Sequence, residues 1–173
     1  MTCETAFVVT VAGSERKTCL IRPLRREEYG LLRRFTYEAI FIPAGAEPPP
    51  FDIVDRPELA VYYRDFGAGR GDTALVAEIG GRVAGAAWAR IMKDYGHLDD
   101  DRPSLAVSMM KEYRSLGIGS RLLKAVLGLL GQEGFAGASL SVQKANYAVR
   151  MYEKQGFRTV AETADEYIMQ KVL

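Results

Sequence analysis

Arg114-Ser115-Leu116-Gly117-Ile118-Gly119-Ser120 is the stretch of this 173-residue chain best equipped for chemistry. It lies between an apolar run, Leu105 to Met110, and a long pattern of helical periodicity. Glycines at 117 and 119 allow a tight turn with exposed N–H groups, and the positive end of the following helix dipole favours an anion there. Arg114 adds a formal charge and a bidentate donor. The stretch reads as a phosphate cradle, although by itself it also fits an ordinary glycine turn beside a solvated arginine.

Two better-known glycine loops are excluded by spacing. A nucleoside triphosphate loop ends in Gly-Lys-Ser/Thr, whereas Gly119 is followed by Ser120-Arg121. The dinucleotide fingerprint needs a third glycine where Leu122 stands. What remains is Arg-x-x-Gly-x-Gly between strand and helix, which resembles the coenzyme A pyrophosphate loop of the GNAT superfamily of N-acetyltransferases.

A second segment carries an independent resemblance to the same superfamily. In Ser141 to Phe157 a strand ends in Val142, Asn146 opens a helix, Ala148 follows two residues on, Tyr152 sits in the last turn and Gly156-Phe157 closes it. The two motifs stand in the family's order and spacing, and the likeness runs from about Cys19 to Leu173.

The resemblance implies acetyl coenzyme A as co-substrate and an amine as acceptor. Backbone N–H groups around Leu116, Gly117, Ile118, Gly119 and Ser120 would hold the pyrophosphate, with Arg114 offsetting its charge. The pantetheine arm would lie beside Met109, and an N–H near Met109 or Met110 would polarise the thioester carbonyl. Tyr152 is the natural proton donor to the departing thiolate, because a phenol's pKa of about 10 is close to that of an alkyl thiol. A packed core tyrosine is the other reading of Tyr152. Asn146 would contact the pantetheine arm, although helix capping alone explains an asparagine there.

Many family members carry a glutamate base on the fourth strand, and here Ser104 to Met110 contains no carboxylate. The candidates for that role are His97, the only histidine, the neighbouring Asp99-Asp100-Asp101, Glu47 and Glu78, or a water chain with no dedicated base. His97 also reads as a solvated loop residue. The missing glutamate keeps open a non-catalytic acyl-coenzyme A binding or sensor protein.

The elements that must position these residues follow from periodicity. Phe7 to Val11 and Thr18 to Arg22 suggest a hairpin turned at Gly13 to Arg16, or else a disordered leader. A helix is expected from Arg26 to about Phe41, and a second opening at Asp55-Arg56-Pro57 with Leu59, Tyr62, Tyr63 and Phe66 on one face. Between them Pro43, Gly45 and Pro48-Pro49-Pro50 form a stiff loop, either a connector or one wall of an acceptor pocket that includes Phe41, Glu47 and Phe51.

Gly80-Gly81 marks a hairpin between Thr73–Ile79 and Val83–Met92, and Leu105 to Met110 reads as a buried central strand. Ile118, Leu122, Leu123, Val126, Leu127 and Leu130 then define a helix ending near Gly134. A strand at Ser139 to Val142, a helix at Asn146 to Gln155 and strands at Phe157 to Val160 and Tyr167 to Lys171 complete the order, which argues α/β or α+β around one sheet. The resemblance implies a mixed, mostly antiparallel sheet with a V-shaped splay between the fourth and fifth strands, flanked by about four helices. Residues 1–17 are expected as an extension and 18–173 as a single N-acetyltransferase domain.

Composition is that of a soluble globular chain, 48% hydrophobic and 26% charged with a formal net charge of +1, and nothing in it argues for nucleic acid. Cys3 and Cys19, the only cysteines, lack disulfide or zinc spacing and read as free thiols in a reducing cytoplasm. No metal is expected. The longest early apolar run, Ala6 to Ala12, is too short to span a membrane. A monomer or homodimer acting on a small-molecule or peptide amine is the expectation.

Overall fold

The computed structural model describes residues 4–173. Eight strands form one sheet: β1 (Thr5–Val11), β2 (Glu15–Pro23), β3 (Thr73–Ile79), β4 (Arg82–Arg90), β5 (Ser104–Met109), β6 (Gly137–Gln143), β7 (Arg158–Glu162) and β8 (Glu166–Val172). Their spatial order is β1-β2-β3-β4-β5-β6-β8-β7, with every pairing antiparallel except β5–β6. Four α-helices accompany it: α1 (Leu31–Glu38), α2 (Pro57–Ala60), α3 (Ile118–Gln132) and α4 (Ala148–Lys154).

β3 and β4 are apolar almost throughout because both faces of the sheet are covered, and alternate residues serve opposite layers. Leu75, Ala77, Ala87 and Ala89 join Leu122, Leu123, Val126 and Leu130 of α3 in one core. Val76, Ala86 and Trp88 join Leu32 and Phe35 of α1 in the other. The glycine pair places Gly80 and Gly81 at φ of 58° and 76°, the mirror-image turn that the twist of a two-residue hairpin demands.

The N-terminal hairpin is ordered in pairing, with Phe7 opposite Cys19 and Val11 opposite Glu15. Arg121 of α3 lies 4.4 Å over the Phe7 ring. Cys19 is a fully buried free thiol that burial pushes up to about 11, so it is an inert packing residue. Cys3 lies outside the described residues.

Two expected helices are shorter than periodicity suggests. Arg26–Glu28 is a 3-10 turn, and α1 starts only after Gly30 and ends at Glu38, leaving Ile40 and Phe41 outside the helix. The second helix is a single α-turn, Pro57–Ala60. Beyond it i→i+3 bonds, Tyr62 N to Leu59 O and Tyr63 N to Ala60 O, mix with a last α-type bond, Arg64 N to Ala60 O at 2.9 Å, while side chains of β4 capture carbonyls of the turn. Trp88 Nε1 donates to Tyr62 O at 2.9 Å and Arg90 Nη1 to Val61 O and Arg64 O at 2.9 and 2.7 Å.

With the N-terminal strand included, the splay falls between the fifth and sixth strands. β5 and β6 pair only at Ser104–Ser139, secured by Ser139 N to Pro103 O at 3.1 Å, and diverge from there toward Met109 and Gln143. Gly96 lets the preceding loop lie against β6, since a β-carbon there would stand 2.6 Å from the Leu140 carbonyl carbon and the Ser141 nitrogen.

Candidate active site

The divergence of β5 and β6 opens into a cleft of about 1130 Å³. Its walls come from the end of α1 and the loop to Ala44, from Leu105 to Met109 of β5, from Ser141 to Gln143 of β6, and from the starts of α3 and α4. The glycine loop forms its rim. Ser115 and Gly117 adopt left-handed φ values of 63° and 75°, and this alternating backbone turns successive N–H groups into one concavity. Gly117 caps α3, whose first intrahelical bond is Arg121 N to Gly117 O at 3.4 Å, so the N–H groups of Ile118, Gly119 and Ser120 remain for a ligand.

A β-carbon on Gly119 would have its closest contacts, Met109, Met151 and Val107, all at 3.9 Å. The fold therefore has room for a side chain there, and the space it would enter is the cleft. Arg114 stands at the rim with two tethers: its Nε donates to Met109 O at 3.0 Å and its Nη2 to Glu38 Oε2 at 3.0 Å. Glu38 is also bound by Arg34 at 2.8 Å.

Met109 and Met110 separate cleanly. Met110 N–H is spent on Ala84 O of β4 at 2.8 Å, and its side chain packs in the α1-side core. Successive N–H groups of a strand point to opposite sides, so that of Met109 is directed into the splay. Met109, Arg114, Gly117, Ile118, Gly119, Ser120, Asn146 and Tyr152 line the cleft, whereas Met110 does not, and Leu116 packs against the α3-side core instead. Asn146 lines the cleft at the start of the α4 turn, its Oδ1 accepting from Ala148 N at 2.9 Å.

Tyr152, 8% exposed, packs edge-on against Phe157 with centroids 5.8 Å apart. Burial pushes its phenol above the ordinary value, with a smaller push from Tyr147. The hydroxyl is thus held protonated at neutral pH, the state a proton donor requires.

Of the residues considered for acceptor binding and for the base, few reach the cleft. Phe41 does. Phe51 is turned away, stacked edge-on to Tyr37 at 5.1 Å beneath the Arg33 guanidinium at 4.5 Å, and Glu47 is exposed on the proline-rich loop. His97 lies outside, its Nε2 3.9 Å from Asp100 Oδ1. Glu78 is engaged with buried Arg22 at 2.8 Å on the far part of β3. Conversely, Glu166 of β8 and Tyr62 line the cleft, and sequence reasoning missed Glu166 because only strand register carries it there. Tyr62 donates to Asp94 Oδ2 at 2.7 Å, and burial followed by the Asp94 charge raises its phenol strongly.

A backbone concavity at the start of α3 thus opens into the cleft left where the sheet splits. A model of the Acetyltransferase (GNAT) family matches residues 39–157, and the chain belongs to that family. It is 35% identical over 86 residues to the probable N-acetyltransferase camello of Xenopus tropicalis, a stretch covering 48% of this chain and 37% of that protein.

Among solved structures, the GNAT domain of S. lividans PAT superposes with a TM-score of 0.65 at 16% identity, covering 97% of each chain. The PaiA N-acetyltransferase from Thermoplasma acidophilum, solved in complex with coenzyme A, gives 0.65 at 19% identity over 90% of this chain and 99% of that one. At such identities the likeness is one of fold.

Among the described residues no helix is long and apolar enough to cross a membrane.

Proposed function

We propose that this protein transfers an acetyl group from acetyl coenzyme A to a primary amine of a small molecule or peptide, directly and within a ternary complex, and that it does so in the cytoplasm. The observation that carries this reading is the opening of the Gly117–Ser120 cradle into the same cleft as the free β5 edge and Tyr152. The space beside Gly119 fits a ligand's pyrophosphate, for which a β-carbon would compete.

When bound, the coenzyme supplies an activated thioester. The protein's residues do the rest. N–H groups of Ile118, Gly119 and Ser120 hold the pyrophosphate, and Arg114 contributes charge from the rim. Met109 N–H would stabilise the oxyanion that develops as a neutral amine attacks, and Tyr152 O–H would protonate the leaving sulfur. With no carboxylate on β5, the proton shed by the amine passes to solvent in the open cleft.

That same missing carboxylate favours one other reading, a non-catalytic acyl-coenzyme A sensor. Calorimetry with acetyl coenzyme A followed by thiol release over a panel of amines separates the two. Binding with turnover is expected, and binding without turnover on any amine would leave the sensor.

A further inference from the structure

The two ends of the cleft differ in charge. Among the described residues, three of its lining carry a formal charge, Glu38, Arg114 and Glu166, and the first two pair with each other at the proposed coenzyme rim. Glu166 has no cationic partner among the described residues. Its Oε2 accepts from Ser141 Oγ at 3.0 Å, and Lys144, whose N–H bonds Asp165 O just before β8, commits its amine to Glu162 at 2.7 Å.

Strand parity fixes the side on which Glu166 stands. Val142 and Leu140 of β6 belong to the α3-side core with Tyr152, so Ser141, and Glu166 bonded to it, belong to the opposite, α1-facing side. Tyr62, Trp88 and Tyr95 line the cleft with them. Behind Tyr62, Asp94 is held by two hydroxyls, Tyr62 OH at 2.7 Å and Ser104 Oγ at 2.6 Å, rather than by a base. One end of the cleft is therefore aromatic and negative.

Resting on the acetyl-transfer reading above, we infer that Glu166 is the specificity-determining residue of the acceptor site, and that the acceptor is an alkyl diamine whose second, non-reacting ammonium Glu166 binds. The attacking nitrogen must be neutral. A carboxylate in a partly buried cleft stabilises the protonated form of the amine nearest to it, so the nitrogen facing Glu166 stays charged and the other one reacts. The methylene chain between them suits the Tyr62 and Tyr95 walls, whose ring faces also favour a cation. An α-amino acid is disfavoured, since its carboxylate would meet Glu166.

The test compares diaminobutane, butylamine and alanine as acceptors, with acetyl coenzyme A binding followed by calorimetry. For the wild-type protein kcat/KM for diaminobutane should exceed that for butylamine by roughly 10- to 100-fold, the range of a charge-assisted hydrogen bond, with alanine poorest. Glu166→Gln should collapse the diamine advantage toward unity, and Glu166→Asp should retain part of it. Ser141→Ala, which releases the carboxylate from its anchor, should lower the advantage less. No diamine preference in the wild type, or a preference that survives Glu166→Gln, overturns this inference and leaves acetyl transfer standing. Coenzyme binding with no turnover on any amine overturns both.

Discussion

Arg114 and Glu38 form an ion pair at 3.0 Å across a sequence separation of 76 residues, joining the glycine loop to the last turn of α1. Arg114 is thus partly neutralised before any phosphate arrives, and it also braces Met109 O. Two consequences differ in sign. Arg114→Ala removes both the charge and the brace and should weaken acetyl coenzyme A binding about 10-fold, as for one lost charge-assisted contact. Glu38→Gln frees the guanidinium and should strengthen binding a few-fold, an effect that shrinks with added salt. Titration calorimetry at two ionic strengths measures both, and weaker binding in the glutamine variant would show that Glu38 serves the site in another way.

Gly117 and Gly119 should respond differently to alanine. At Gly117, with φ of 75°, a β-carbon meets nothing within 4 Å but strains the backbone, so Gly117→Ala should cost about 1 kcal/mol of stability. Gly119 lies inside α3 with ordinary helical geometry, and Gly119→Ala should leave stability unchanged or slightly raised while coenzyme affinity falls. Larger valine there should abolish binding in a folded protein. Thermal unfolding beside calorimetry separates the two glycines, and wild-type affinity in the valine variant is incompatible with the cradle.

Tyr152→Phe keeps the ring stacked on Phe157 and loses only the donor. kcat should fall by roughly 10²-fold with coenzyme affinity little changed, the usual cost of a lost general acid. Because burial raises the phenol, the alkaline fall in wild-type kcat that reports its ionisation should lie above pH 10, its ordinary value. The phenylalanine variant should lack that limb. An unchanged kcat with chemistry rate-limiting would make Tyr152 a packing residue.

Arg22 is 4% exposed and binds Glu28 through both carboxylate oxygens at 2.7 and 2.8 Å, with Nε donating to Glu78 at 2.8 Å. The Arg22 guanidinium, more than the Arg25 N–H that also reaches it, holds the Glu28 carboxyl down to about 2, from 4.5. A depressed folded pKa stabilises above the unfolded value and is lost as pH falls through the folded one. This contribution, about 3 kcal/mol from the shift alone and about 2 kcal/mol once solvent screening of the partly exposed carboxylate is allowed for, should be complete above pH 4.5 and fade toward pH 2. Glu28→Gln should flatten that part of the acid denaturation curve, and Arg22→Met should destabilise by about 3 kcal/mol by stranding two carboxylates. An acid transition identical in wild type and Glu28→Gln would exclude the mechanism.

Sequence by itself determined the parts whose physics is local. The left-handed turn at Gly117, the two-residue hairpin at Gly80-Gly81, the apolar stripe of α3 and the Asn146 side-chain bond to Ala148 N each arise from a backbone preference or a periodicity contained within a few residues, and each stands where the pattern put it. Helix length was less legible. The Val61, Tyr62 and Arg64 carbonyls are taken by Trp88 and Arg90, side chains from a strand more than twenty residues away, and no periodicity reports that competition. The far end of the cleft was decided by tertiary structure alone. Ser141 and Glu166 are 25 residues apart and meet because β6 and β8 pair with Gln143 opposite Glu166. Phe51, His97 and Glu78 are chemically suited to a pocket, yet Arg33 and Tyr37, a surface loop and Arg22 hold them elsewhere. A side chain's chemistry is written in its own residue, but its address is set by register and by the long-range partners that compete for it.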